Sequence, residues 1–230
     1  MHFLVDNKLK LIFGFSAKCG CSTLKKIFLE NTTDNDLKQK YLQIGNIHVV
    51  AGYKSLPKDI SNFKIILFIR NPYKRIVSGM FQKYKQSGNC RKFWKKPLEK
   101  LTFHNFINTM IQEGLGKTID KHHFTPQTTE MWDDKLLKHD DIIVMDIEHI
   151  NYNLLNNLFK TNNIVNIVIN RENLGNKNII DNAWDIQIDE LKKMTPDYKC
   201  LYNKELKDKV YHFYKKDFEI FKKLGFHYDI

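Results

Sequence analysis

The apolar positions of this chain follow two periods. Residues 62–70, NFKIILFIR, form an almost unbroken run of β-branched and apolar side chains, the pattern of a strand buried on both faces of a parallel sheet. KLKLIFGF (8–15) and DDIIVMD (140–146) repeat that pattern on a shorter scale, and IHVVAGY (47–53) and NIVNIVIN (163–170) are further strand candidates. Elsewhere the spacing is helical, over about 22–30, 73–86, 98–114 and 149–160, and over a long amphipathic stretch, 203–226, closed by Gly225. Asn71-Pro72 ends the strongest strand, because proline cannot donate to a ladder. Strands and helices alternate without repeats or low-complexity linkers. That order predicts an α/β fold with a central, mostly parallel sheet flanked by helices, and 230 residues fit a single domain over 1–230.

A hydrophobic content of 42% supports a real core and excludes wholesale disorder. The formal net charge of +11 points to an anionic partner: a nucleotide, nucleic acid, acidic glycan or membrane surface. No apolar run approaches the roughly 20 residues of a membrane helix. The first fifteen residues carry Asp6 and lysines, unlike a signal peptide, so a soluble, cytoplasmic protein is expected. Four cysteines, at 19, 21, 90 and 200, make neither a C-x-x-C pair nor a disulfide framework, which suits a reducing compartment.

The stretch FGFSAKCGCSTLKKIFLE (13–30) reads as a strand end, a tight polar loop and a helix. A metal or redox site on Cys19 and Cys21 would need a second ligand pair at short spacing, and none follows. A phosphate cradle fits better. A strand entering a small-residue loop and then a helix aims backbone N–H groups and the positive helix end at one point. Lys18 adds a full charge, and Ser22 and Thr23 add hydroxyl donors. A plain helix cap uses the same residues. The loop is P-loop-like without matching the nucleotide-triphosphatase pattern, which places its lysine after the second glycine.

A second segment, ILFIRNPYKRIVSGMF, places Arg70 at the end of the strongest strand and Ser78 in the next helix. Together the two segments resemble the sulfotransferases, more closely the carbohydrate enzymes of the HNK-1, chondroitin and heparan 2-O type. The family's 5′-phosphosulfate loop, K-x-G-x-[ST], is matched by Lys18, Gly20 and Ser22. Its 3′-phosphate motif, R-x-P-x-x-R-x-x-S, is matched by Arg70, Pro72, Arg75 and Ser78. HHFTPQTTEMWD (122–133) is similar to the family's H-[FW]-x-P-Q segment. IIVMDIEHINYNLLNNLF is similar to its strand-then-Glu-then-helix stretch, and YKKDFEIFKKLGF to its closing pattern.

The resemblance implies the donor 3′-phosphoadenosine 5′-phosphosulfate and the product adenosine 3′,5′-bisphosphate, in a scheme that calls for no metal. It assigns Lys18 to the leaving phosphate, and Cys19, Gly20, Cys21, Ser22 and Thr23 to the phosphosulfate oxygens. Arg70 and Ser78 fall to the 3′-phosphate, and Arg75 to bracing the loop through a carboxylate. Related heparan 2-O enzymes carry a histidine base between the two motifs, which makes His48 the first candidate and His122 or His123 the second. The basic stretch 83–96, with Arg91 and Trp94, is a candidate dock for an acidic glycan acceptor, with aromatic rings stacked on sugars. Alternatives are an ATP-dependent kinase using Asp146 for Mg²⁺, or a non-catalytic basic module binding glycan or nucleic acid.

Overall fold

The computed structural model describes residues 1–50, 56–84, 93–128, 132, 136–161 and 177–230, without the side chains of Ile47 and His48. In chain order the elements are β1 (His2–Asp6), β2 (Leu11–Phe15), α1 (Cys21–Asn31), α2 (Asn35–Ile44), α3 (Ile47–Val50), β3 (Lys64–Ile69) and α4 (Pro72–Lys83). They continue with α5 (Phe103–Glu113), α6 (Lys121–Phe124), β4 (Ile142–Asp146), α7 (Tyr152–Phe159), α8 (Ile188–Lys193), α9 (Lys204–Phe213) and α10 (Lys215–Lys223). The chain divides into two compact units, 1–70 with 127–170, and 71–126 with 171–230.

The first unit carries one four-stranded sheet in the order β1-β2-β3-β4. β2, β3 and β4 run parallel, with Phe13 opposite Ile66 and Phe68 opposite Met145, so the mostly parallel α/β reading holds. The edge strand β1 pairs antiparallel with β2 and is not foreshadowed in the sequence. Its five residues end in a carboxylate, and hairpin pairing rather than local propensity makes it a strand. Phe13, Phe15, Ile66 and Phe68 pack with Leu24, Ile27 and Phe28 of α1 and with Leu155 and Phe159 of α7. The Phe13 ring meets Phe28, Phe68 and Phe159 edge-on at 5.0–5.5 Å. Each such buried ring contributes about 1.5–3 kcal/mol.

Residues 47–50 form a single helical turn, not the strand expected over 47–53, and 51–55 lie outside the described residues. Gly45, left-handed at φ 68°, ends α2, and Val50 N–H then closes the new turn on Asn46 O at 3.1 Å. Local context thus outweighs the β-branched pair Val49-Val50. The strand expected at 163–170 also lies outside the described residues.

Asp6 fixes the start of the first unit. Its buried carboxylate accepts the N–H groups of Lys8, Leu9 and Thr33 and the hydroxyls of Thr32 and Thr33, at 2.7–3.0 Å. Burial alone would raise its pKa. The hydrogen bonds from Leu9, Thr32 and Thr33 outweigh that and hold it below the ordinary 3.8. Its contribution to stability is therefore fully present above pH 3.8 and is lost as pH falls through the lower folded value. Asp6→Ala leaves five donors unmatched and is expected to cost at least ~3 kcal/mol, read by denaturant melts at pH 7. An unchanged melt would remove Asp6 from this role.

The second unit is helical. Tyr73, Tyr84, Trp94, Phe103, Phe106, Phe124, Tyr202 and Tyr214 form an aromatic core with aliphatic residues of α4, α5, α8 and α9. Its buried tyrosines bond backbone: Tyr84 OH to Thr118 O (3.1 Å), Tyr202 OH to Tyr73 O (2.9 Å) and Tyr214 OH to Phe124 O (2.7 Å). The long helix expected over 203–226 is two helices broken at Tyr214, whose backbone leaves helical geometry at φ −103°, ψ 23°. Leu206, Val210, Phe218 and Phe221 are all buried on either side of the break, so the apolar period runs on through it.

Candidate active site

In the first unit the C-terminal ends of three parallel strands gather the chemistry. β2 runs into the loop Ser16–Gly20, β3 into Arg70, and β4 into Asp146-Ile147-Glu148. This is where open α/β sheets bind ligands.

The loop is tightly wound. Cys19 N–H bonds back to Ser16 O at 3.2 Å, with Lys18 left-handed at φ 69° and Gly20 at φ 70°. A non-glycine residue there costs about 1–2 kcal/mol, a cost that surrounding structure must sustain. Gly20 is required twice over, because a Cβ at this position would lie 2.5 Å from Ile147. Gly20 is also the N-cap of α1, so the N-cap residue brings no side chain to this helix. Asp34, Asn71, Thr102 and Asn151 cap α2, α4, α5 and α7 with their side chains. The first turn of α1, Cys21, Ser22 and Thr23, thus presents N–H groups and the positive helix end where the loop closes, a geometry suited to phosphate or sulfate oxygens. Burial pushes down the pKa of Lys25, one turn further on, against the pull of Cys21.

Cys19 is buried, and its thiol donates to Gln127 Oε1 at 2.9 Å. Cys21 donates to Ser16 O at 3.4 Å. Both thiols thus brace the loop. Among the described residues no three His, Cys, Asp or Glu side chains are grouped to hold a metal ion.

Arg70 reaches the same place. Its Nε and Nη2 lie 3.1 and 3.0 Å from Glu148 Oε1, and its Nη1 donates to Lys18 O at 3.3 Å. The side chain is 23% exposed, so the guanidinium is oriented yet open to a ligand. Asp146, the carboxylate a magnesium-ATP site would use, is 6% exposed and takes the Glu148 N–H at 2.8 Å. Sequence reasoning missed Gln127 and Glu148 as site residues. Both stand inside family-like segments, but they lie 57 and 78 residues from their partner Arg70 along the chain, a pairing no local pattern shows.

The other candidates fall as follows. His48 lies on α3, and its side chain is outside the described residues. In the second unit His123 Nδ1 bonds Asp120 Oδ2, and Asp120 Oδ1 caps α6 through His122 N–H at 2.9 Å. A carboxylate only accepts, so Nδ1 carries the proton and Nε2 keeps its lone pair. Burial pushes the His123 pKa below 6.5, and the bond to Asp120 does not restore it; burial lowers His122 likewise. Arg75 is 2% exposed and donates to Thr125 O at 2.9 Å. That bond braces the end of α6. Trp94 is corrected: it is 4% exposed, packs against Tyr84 and donates to Pro97 O, so its face is unavailable for stacking on a sugar. The aromatic letters of 83–96 mark core, which a basic flank disguised. Arg91 lies outside the described residues, and Ser78 is half-buried in α4 of the second unit.

Loop, helix end and arginine make the strand ends of this α/β sheet the candidate site. The chain matches the sulfotransferase family over residues 1–224, and it belongs to that family. Comparison with curated proteins and with solved structures yields no match. No helix among the described residues is long and apolar enough to cross a membrane.

Proposed function

We propose that this sulfotransferase takes its sulfuryl group from 3′-phosphoadenosine 5′-phosphosulfate and places it on a hydroxyl of a carbohydrate acceptor. The single observation that carries the donor reading is the meeting of the Lys18–Thr23 loop with Arg70 at the C-terminal ends of the strands, joined by the bond from Arg70 Nη1 to Lys18 O. The residues fit such a donor: Gly20 takes the left-handed turn and the close approach of Ile147 that the loop requires, and the donor set is cationic and amide. When bound, the donor supplies the sulfuryl group. The amides of Cys19 to Thr23 hold phosphosulfate oxygens, and the Lys18 ammonium neutralises charge on the leaving 5′-phosphate. Arg70, oriented by Glu148, reads the 3′-phosphate, and the motif assigns Ser78 to the same group. The carbohydrate acceptor rests on the resemblance of the motifs and on the net charge of +11.

His48 is the base this reading starts from. A second reading has one specific observation in its favour, the His123–Asp120 pair, in which a carboxylate fixes the tautomer that leaves Nε2 basic. Incubation with radiolabelled donor and a panel of desulfated polysaccharides tests the function. Label is expected in a polysaccharide, with adenosine 3′,5′-bisphosphate released in equal amount. Label passing only to small phenols would overturn the acceptor class, and turnover of ATP with no use of the donor would overturn the reaction.

A further inference from the structure

We infer that Gln127 is a positioning residue that locks the phosphosulfate loop and Arg70 into one unit, so that the two ends of the donor are read cooperatively. The inference rests on the donor reading above. Gln127 is 1% exposed, and its side-chain amide is engaged on both ends. Oε1 accepts the Arg70 backbone N–H at 2.9 Å, and Nε2 donates to the Arg70 carbonyl at 2.7 Å. Arg70 lies one residue past β3, so the amide makes the two bonds that a neighbouring strand would make to it. The same Oε1 takes the Cys19 thiol at 2.9 Å, and the Gln127 carbonyl takes the Ser16 hydroxyl at 3.3 Å. One side chain thus fixes the backbone from which Arg70 projects, and one residue clips both ends of the turn that carries Lys18.

A physical consequence follows. A 3′-phosphate that fixes Arg70 also fixes, through this amide, the loop that must hold the 5′ group, and the reverse holds by reciprocity. Residues in one hydrogen-bond network couple, whereas residues without shared partners add. The pairing also explains the orientation of the amide, since the flipped form would set Nε2 against the Arg70 N–H and Oε1 against its carbonyl.

Gln127→Met keeps the length of the side chain and removes both polar ends. Calorimetry on the full chain would compare adenosine 3′,5′-bisphosphate with adenosine 5′-monophosphate, giving the affinity gained from the 3′-phosphate. The gain is expected to fall about tenfold in Gln127→Met. The effects of Lys18→Ala and Arg70→Ala on bisphosphate affinity, expected to be non-additive in the parent, should move toward additivity, the remaining coupling being carried by the direct bond from Arg70 Nη1 to Lys18 O. Hydrogen exchange on the nucleotide-free chain supplies a readout independent of the donor: the Arg70 amide and the 17–23 amides should accelerate together. If Gln127→Met does not fold, Gln127→Glu keeps the acceptor for the Arg70 N–H and the Cys19 thiol and sets a carboxylate oxygen against Arg70 O in place of the donor, with a drop in the same gain expected. A folded variant with unchanged gain, unchanged non-additivity and unchanged exchange would overturn the inference. Joint acceleration of exchange in a chain that binds no bisphosphate would uphold the lock and overturn the donor reading alone.

Discussion

Lys18→Ala is expected to lower turnover by about 10²–10³-fold at saturating donor, the usual effect of removing one donor aimed at developing charge. The change is unusually clean here. Arg70 bonds the carbonyl of Lys18 and not its side chain, so that contact survives the substitution. The left-handed backbone at φ 69° is equally strained for alanine, so the melting temperature should stay close to the parent's. Lys18→Arg should restore only part of the rate, because a planar fork does not replace a compact ammonium at a crowded oxygen. Steady-state rates with saturating donor and a parallel melt give the answer. Near-normal turnover in Lys18→Ala would move the reacting centre away from this loop.

The second large effect concerns the base. Removing the group that takes the acceptor proton is expected to cost roughly 10²–10⁴-fold in turnover, with bisphosphate affinity almost unchanged. His48→Ala should show this loss while His123→Ala keeps most of the rate. The pH profile gives an independent readout for His123. Only neutral imidazole accepts a proton, so the rate falls as pH drops through the pKa of the base. For His123 that fall is centred below 6.5, because burial pushes the group down more than Asp120 raises it. Loss in His123→Ala with an acid limb below 6.5 would pass the role to the His123–Asp120 pair, and full rate in both variants would exclude both.

The parallel sheet was legible in the sequence because buried strands leave continuous apolar runs, as at Ile65–Ile69, which pairs on both sides. The loop and Arg70 were legible because each is a local pattern at a strand end. What escaped was set by distance along the chain or by competing context. β1 exists through its partner β2. Residues 47–50 wind into a turn behind Gly45. Tyr214 breaks one apparent helix without breaking its apolar period. Trp94 carries the letters of a sugar platform, but its ring is spent on the core around Tyr84. Gln127 and Glu148 hold Arg70 across 57 and 78 residues, and only the fold brings those segments together. Of the two arginines of the R-x-P-x-x-R-x-x-S motif, Arg70 is the one that pairs with Glu148.

Titration calorimetry of the full chain with adenosine 3′,5′-bisphosphate, ADP and ATP, each with and without Mg²⁺, tests the central claim most directly. Charge-assisted hydrogen bonds to the 3′-phosphate contribute about 1.5–3 kcal/mol each. The bisphosphate is therefore expected to bind at least tenfold to a hundredfold more tightly than ADP, with no need for the metal. Equal affinity for ADP, or tighter binding of ATP that depends on Mg²⁺, would contradict the account.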